Sequence, residues 1–274
     1  MLNLRIITAV ILAPAFLLFV LYLDTFWFAL VMAAVIALAA WEWAGVSGYS
    51  QTLSRAGYTV FILLLLGAVY EFKTDLVSVW LITFALVWWL VAFGLVLRYQ
   101  KFEESDFSLP IPAIIMGILV LVPPWLSLIV LRADEPDGVK SVLFLLVLIW
   151  SADIAAYFSG RRWGKNKLCN RVSPGKSWEG VFGALVAAAG MGLVYAIYQG
   201  MQGTDVLIFI TISLFTVLAS ILGDLLESLM KRLGNVKDSG TILPGHGGIL
   251  DRIDSLTAAL PVFCAALWLW EKSI

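Results

Sequence analysis

The strongest constraint on the fold is a series of nine apolar runs, most of them about 18 residues or longer. A helix of about 20 residues crosses the hydrocarbon core of a bilayer and satisfies its own backbone hydrogen bonds, so each run predicts a transmembrane helix. The runs cover residues 6–23, 26–41, 56–70, 76–97, 109–131, 139–160, 181–199, 204–223 and 253–270. Charged residues make up 14% of the chain, against about 25% in soluble domains. We therefore expect an all-α integral membrane protein with about nine transmembrane helices.

The fifth run differs from the others because it contains prolines at positions 110, 112, 123 and 124. Proline lacks a backbone N–H and kinks a helix, so this run predicts a broken helix or two short segments. The first run is too long for the apolar region of a cleaved signal peptide, and we expect it to remain as a helix.

The distribution of lysine and arginine predicts the orientation of the chain. With a cytoplasmic N-terminus and nine spans, fourteen of the eighteen basic residues fall on the cytoplasmic side and four on the other. The two longest polar connections, 161–180 and 224–252, fall on the cytoplasmic side as well. We therefore expect the N-terminus and the polar loops to lie in the cytoplasm. The polytopic pattern itself fits a multi-pass protein of a bacterial cytoplasmic (inner) membrane.

Asp153 stands in or near the end of the sixth run, where a carboxylate is costly unless a partner, water or an ion satisfies it. Tyr157, four residues later, shares its helix face. The pair indicates either a packing contact between helices or the wall of a site, and we favour the wall of a site. The cationic stretch 160–167 that follows indicates either a topology anchor or a binding surface for a lipid headgroup or phosphate.

Gly175, Lys176 and Ser177 resemble a fragment of a phosphate-binding loop. The full motif needs a glycine where Asn170 stands, and a preceding strand, so we reject a nucleotide triphosphatase. A lysine, a hydroxyl and free N–H groups at a helix start can still hold a phosphate. Ser177 fits an N-cap of the seventh span equally well.

Four carboxylates in the segment 223–254 stand at the ends of two predicted spans. Asp224 and Glu227 would share one polar stripe if this segment begins as a helix, although a solvated amphipathic extension has the same pattern. Asp251 and Asp254 stand three apart at the start of the ninth run. Four carboxylates in this arrangement predict a site for a hard cation such as Mg²⁺, with ion pairs to nearby basic residues as the alternative.

The connection between these two pairs, 237–248, contains four glycines and a proline, which stop any helix. Its backbone N–H groups predict an anion-binding nest, and a flexible loop is the alternative. The single histidine of the chain excludes a histidine-rich metal site, and the net charge of −1 indicates no nucleic-acid partner.

The residues from Ser228 to Asp254 resemble the signature of the CDP-diacylglycerol synthases, also called phosphatidate cytidylyltransferases. The pattern reads Ser-x-Met-Lys-Arg-x₄-Lys-Asp-x-Gly-x₂-Leu-Pro-x-His-Gly-Gly-Ile-x-Asp-Arg-Ile-Asp over 27 positions without a gap. The segments 150–157, 173–180 and 223–228 also resemble that family. We expect one polytopic membrane domain, 1–274, with N-terminal spans in 1–138 and catalytic spans and loops in 139–274.

The resemblance implies a reaction in phospholipid biosynthesis. CTP and phosphatidic acid give CDP-diacylglycerol and pyrophosphate, by in-line attack of the lipid phosphate on the α-phosphorus of CTP. It also implies Mg²⁺ as cofactor, K⁺ at a neighbouring site, contact with membrane lipids, and a homodimer.

The resemblance further implies roles for individual residues. The metal ligands would be Asp224 and Asp251 first, with Glu227 and Asp254 as ligands or supporting groups. The catalytic set would be Asp224, Lys231, Arg232, Asp251 and Arg252. The substrate-binding set would be Asp153, Ser173, Lys176, Ser177, Ser228, Lys237, His246, Gly247 and Gly248.

Two other functions are compatible with part of the pattern. A CTP-dependent lipid kinase would use the same substrates but transfer the γ-phosphate and release CDP. A secondary transporter would place its charges near the bilayer midplane and show internal repeats, whereas these charges gather at one interface and no repeat is evident.

Overall fold

The computed structural model describes residues 14–101, 109, 111–133, 137–242, 245 and 247–271. Within them the chain forms nine helices and one short hairpin. The helices are α1 (14–22), α2 (Thr25–Val46), α3 (Thr52–Glu71), α4 (Asp75–Lys101), α5 (Ala113–Ala133), α6 (Gly138–Trp163), α7 (Trp178–Tyr198), α8 (Thr204–Leu233) and α9 (Leu250–Glu271). The strands are β1 (Lys167–Cys169) and β2 (Ser173–Ser177).

The prediction of an all-α integral membrane protein is confirmed. Eight of the described helices, α2 to α9, are long and apolar enough to cross a membrane. The predicted second and third runs were short, and the helices that contain them extend to 22 and 20 residues. Helix α8 has 30 residues, a length of roughly 45 Å at 1.5 Å per residue, so it exceeds the hydrocarbon thickness.

The expectation of a break in the fifth run is wrong within the described residues. Helix α5 is continuous from Ala113 to Ala133 and contains both Pro123 and Pro124. Two adjacent prolines remove only two backbone hydrogen bonds, and α5 is packed against α2, α4, α6 and α9. The indole of Trp125 also donates a hydrogen bond to the Ala29 carbonyl at 3.1 Å. Pro110 lies outside the described residues.

A β-hairpin, which the sequence did not predict, connects α6 to α7. Strands β1 and β2 are antiparallel, with Lys167 opposite Ser177 and Cys169 opposite Ser173. The Ser177 hydroxyl accepts a hydrogen bond from Gly180 N–H at 3.2 Å and caps α7. The hairpin therefore ends directly in a helix, and it holds Lys176 beside the helix bundle.

The ends of the helices alternate between two faces of the bundle. We call the site face the one at which α2, α4, α6 and α8 end and α3, α5, α7 and α9 begin. Long-range hydrogen bonds join these ends: Trp43 Nε1 donates to Ala113 O at 2.8 Å, and Arg171 N donates to Gln100 Oε1 at 3.1 Å. At the opposite face, the Arg132 side chain donates to the carbonyls of Val20 and Leu23, at 2.9 and 3.0 Å.

Small residues let the last four helices approach closely at the site face. A Cβ added to Gly180 of α7 would lie 3.1 Å from the Ala156 carbonyl of α6. A Cβ added to Gly223 of α8 would collide with the Asp254 carbonyl of α9. Small side chains are the usual means by which membrane helices pack closely. The contact at Gly223 brings the carboxylates of α8 and α9 within reach of each other.

Candidate active site

Three carboxylates meet where α8 and α9 touch at the site face. Asp224 and Glu227 stand three apart on α8 and so share a helix face, and Asp254 follows one turn after the start of α9. One carboxylate oxygen from each lies within 4.8 Å of the others. We call these three residues the acidic group.

The acidic group has the donor set that a hard divalent cation prefers, because all its ligand atoms are oxygens. Glu227 is only 3% exposed, and its Oε1 has no hydrogen-bond partner among the described residues. A buried carboxylate oxygen is costly when nothing satisfies it. The group therefore fits a bound cation.

Lys231 connects the acidic group to Asp251, the fourth carboxylate of the predicted metal site. Its Nζ lies 2.8 Å from Glu227 Oε2 and 2.7 Å from Asp251 Oδ1. The side chains are 16% exposed for Lys231, 3% for Glu227 and 8% for Asp251. This is a buried ionic network, in which each charge depends on its partners.

Asp251 is bonded differently from the acidic group. Its Oδ2 accepts hydrogen bonds from Ser239 N at 3.0 Å and Gly248 N at 2.8 Å, while Oδ1 faces Lys231. The family resemblance implied Asp224 and Asp251 as the first metal ligands. The structure brings Glu227 and Asp254 close to Asp224, and Asp251 lies outside that group. Asp251 instead connects the α8–α9 loop to the end of α8; the described residues of this loop are 234–242, 245 and 247–249.

The hairpin brings a second lysine to the acidic group. Lys176 Nζ lies 2.7 Å from Asp224 Oδ2, and the Ser228 hydroxyl donates to Asp224 Oδ1 at 3.2 Å. Arg232 Nε donates to the Val172 carbonyl in the hairpin turn at 3.3 Å. Asp224 is thus held from the hairpin and from its own helix.

Glu42 of α2 also reaches this region, although it was not among the predicted site residues. It is 2% exposed and accepts hydrogen bonds from the Ser239 hydroxyl, Ile249 N and Leu250 N, at 3.1, 3.1 and 2.8 Å. One signal was present in the sequence: Glu42 is the only charged residue between positions 25 and 46. Such a carboxylate in an apolar run indicates a partner elsewhere in the fold.

The other predicted residues that the structure describes stand on elements that reach the site face. Four of these residues have exposed side chains: Asp153 on α6, Arg232 at the end of α8, Lys237 in the loop and Arg252 on α9. Ser173 begins β2, and Ser177 is occupied as the cap of α7. Gly247 adopts a φ of 80°, and a Cβ added to Gly248 would meet Ser239 and Glu42. His246 lies outside the described residues.

One thiol stands beside the site. Cys169 of β1 is buried, and this burial raises the pKa of its thiol above the ordinary value, while the nearby Lys176 opposes the shift.

Comparisons with known proteins give one consistent family. A family model described as the cytidylyltransferase family matches residues 3–270. A phosphatidate cytidylyltransferase of Pseudomonas aeruginosa is 44% identical over 268 residues, which are 98% of this chain and 97% of that protein. One of Haemophilus influenzae is 38% identical over 96% of this chain and 97% of that protein. One of Bacillus subtilis is 35% identical over 63% of this chain and 64% of that protein.

Proposed function

The chain belongs to the cytidylyltransferase family, and we propose that it transfers the cytidylyl group of CTP to phosphatidic acid at the acidic group. The products are CDP-diacylglycerol and pyrophosphate. The observation that carries the site is the meeting of three carboxylates with Lys176 and Lys231 at one end of the membrane helices. A reaction between two phosphate groups needs fixed cations and ligands for a further cation.

The reaction is a substitution at phosphorus. An oxygen of the phosphatidate phosphate forms a bond to the α-phosphorus of CTP, the bond from that phosphorus to the bridging oxygen breaks, and pyrophosphate leaves. The nucleophile is already anionic, so no strong general base is required. The barrier comes largely from bringing anions together, and the protein lowers it by positioning and charge stabilisation.

We infer that Asp224, Glu227 and Asp254 hold Mg²⁺. Their oxygen donors and the unpartnered Oε1 of Glu227 support this assignment. When bound, Mg²⁺ would supply positive charge for the phosphate oxygens. In this proposal Asp251 does not bind the metal but fixes Lys231 and the α8–α9 loop. The neighbouring K⁺ and the homodimer stay predictions of the family resemblance.

The basic residues of the site face would bind the phosphates. Lys176 and Lys231 are the lysines in contact with carboxylates of the site, and they would hold phosphate oxygens as point charges. Arg232, Lys237 and Arg252 are exposed at the same face and would hold the triphosphate and the departing pyrophosphate. Asp153, on α6, would line the same site.

The site face would lie at the cytoplasmic interface of a bacterial inner membrane. Thirteen of the described lysines and arginines belong to this face and three to the opposite face, a bias that supports this orientation. There a lipid keeps its acyl chains in the bilayer while its headgroup meets CTP from the cytosol. A cysteine placed at exposed Lys237 should react with an impermeant thiol reagent only in inverted vesicles.

The identity of the product tests the function. Protein purified in detergent is incubated with phosphatidic acid, Mg²⁺ and CTP labelled at either the α- or the γ-phosphate. We expect α-label in the lipid phase and γ-label in pyrophosphate. Transfer of γ-label to lipid with release of CDP would instead identify a lipid kinase, and absence of both would contradict the proposal.

A further inference from the structure

Glu42 lies at the centre of a set of contacts that the transfer reaction does not explain. Its two oxygens accept three hydrogen bonds, all from residues about 200 positions later in the chain. One donor is the hydroxyl of Ser239 in the α8–α9 loop, and two are the backbone N–H groups of Ile249 and Leu250. A single side chain of α2 thus contacts the loop at Ser239 and also the start of α9.

These contacts suit a carboxylate for a physical reason. The first N–H groups of a helix have no partner within the helix, and the helix dipole favours negative charge there. Leu250 is the first residue of α9, so Glu42 acts as a cap supplied by another helix. A carboxylate that is 2% exposed persists only where such donors satisfy it.

The capped end of α9 carries two of the four carboxylates of the site. Asp251 is the second residue of α9, and Asp254 stands four residues after Leu250, on the same side of the helix. Ser239 contacts both carboxylates that organise the loop, because its hydroxyl donates to Glu42 and its N–H donates to Asp251. The position of Asp254 against Asp224 therefore depends on the end of α9 that Glu42 fixes.

The glycines of the loop leave room for this carboxylate. A Cβ added to Gly240 would collide with Glu42 Oε1, and a Cβ added to Gly248 would collide with Oε2. Gly248 was predicted from the sequence as a substrate-binding residue. The close approach of Glu42 explains why a residue without a side chain stands at this position, and this explanation involves no substrate.

We propose that Glu42 is a positioning residue for the transfer reaction, which sets Asp254 in the acidic group by holding the start of α9 and the α8–α9 loop. The proposal rests on the proposed function for its kinetic part. Glu42 touches no substrate; it acts through Leu250 and Ser239 on the group that would hold the metal.

The variant Glu42→Gln tests this with a nearly unchanged shape. Whichever way the amide is turned, its NH₂ group faces a backbone N–H of Ile249 or Leu250, so one hydrogen bond becomes a donor–donor contact. We expect kcat to fall about ten- to a hundredfold and the Mg²⁺ concentration for half-maximal activity to rise about tenfold, as for other groups that support metal ligands. The matched control is Glu71→Gln, an exposed glutamate at the end of α3, which should behave as wild type.

Two readouts separate positioning from loss of folded protein. A smaller folded fraction lowers the rate but leaves the Mg²⁺ midpoint unchanged, whereas mispositioning moves the midpoint. Hydrogen exchange of the amides at 247–251 needs no activity, and we expect it to quicken at least tenfold in Glu42→Gln. If Glu42→Gln does not fold, Ser239→Ala removes one donor only and should change both readouts in the same direction, by a smaller factor.

The outcomes distinguish the two proposals. If wild type shows no cytidylyl transfer but Glu42→Gln still quickens exchange at 247–251, the function fails and the structural role of Glu42 stands. If wild type is active and Glu42→Gln keeps its Mg²⁺ midpoint and its exchange rates, the positioning role is overturned.

Discussion

Replacing Lys231 by methionine removes the cation that lies between Glu227 and Asp251. The long apolar side chain of methionine keeps most of the volume, so the change is mainly one of charge. Asp251 keeps its two backbone donors, Ser239 N and Gly248 N. Glu227 loses the partner of Oε2, while its Oε1 already has no hydrogen-bond partner among the described residues. Asp251 Oδ1 loses Lys231 as well, but the two remaining donors to Oδ2 mean that most of the cost falls on Glu227.

The expected size of this cost follows from the burial of the pair. Removing one partner of a buried ion pair costs about 3–5 kcal/mol, and because Lys231 is 16% exposed we expect about 3 kcal/mol. The double variant Lys231→Met/Glu227→Gln removes the stranded charge as well and should recover most of the loss. Unfolding in mixed detergent micelles, followed by near-ultraviolet circular dichroism, measures each free energy.

The matched control is Lys140→Met. Lys140 Nζ lies 2.6 Å from Asp137 Oδ1, which is as close as the pairs of Lys231, but both side chains are 48% exposed. Water and salt screen such a surface pair, so its removal should change stability far less. The reasoning is refuted if Lys231→Met and Lys140→Met lose equal stability, or if the double variant is no more stable than Lys231→Met.

Three further predictions concern other parts of the site face. Gly183→Ala should lower the thermal midpoint, because the added Cβ would collide with α6. Gly190 has open space around it, so Gly190→Ala should raise the free energy of unfolding by about 0.5–1 kcal/mol. Thermal melts of the two variants beside wild type compare them. Lys176→Met should reduce cytidylyl transfer about tenfold, because it removes a charge-assisted contact with phosphate. Lys101→Met, at an exposed lysine at the end of α4, should leave the rate unchanged, and initial rates at saturating Mg²⁺ compare the two variants. Because the pKa of the Cys169 thiol is raised, less thiolate is present at pH 7, and alkylation of the folded protein should be slow until the pH is alkaline. Equal alkylation rates in folded and unfolded protein would contradict the burial of this thiol.

The membrane helices could be predicted because apolar length is a local property. A run of about 20 apolar residues indicates a span whatever surrounds it. Helical periodicity likewise predicted the shared face of Asp224 and Glu227, and α8 is continuous through both. The proline-containing α5 could not be judged in the same way, because its continuity depends on packing against neighbouring helices.

Sequence spacing could not predict which three of the four carboxylates meet and which one lies outside that group. Asp251 and Asp254 stand three apart on α9, a difference of about 60° around the helix axis. That rotation, together with the close approach at Gly223, turns Asp254 toward Asp224 and Asp251 toward Lys231. Sequence spacing fixes neither the rotation of a helix nor its neighbour.

Glu42 was missed for a similar reason. Its partners lie 197 to 208 positions away, in a part of the chain that shares no local pattern with α2. The predicted second run ended at residue 41, one position before this carboxylate. An isolated charge at the edge of an apolar run indicates a long-range contact, but only the fold identifies the contact.

The most direct test of the account is the Mg²⁺ dependence of cytidylyl transfer in Asp254→Asn. Purified wild type, Asp254→Asn and the control Asp75→Asn, an exposed aspartate at the opposite face, are titrated with Mg²⁺ in the presence of α-labelled CTP and phosphatidic acid. We predict that wild type and the control incorporate label only with Mg²⁺, and that Asp254→Asn is slower by about a hundredfold and requires more Mg²⁺. A wild-type rate and an unchanged Mg²⁺ midpoint in Asp254→Asn would contradict the assignment of the acidic group.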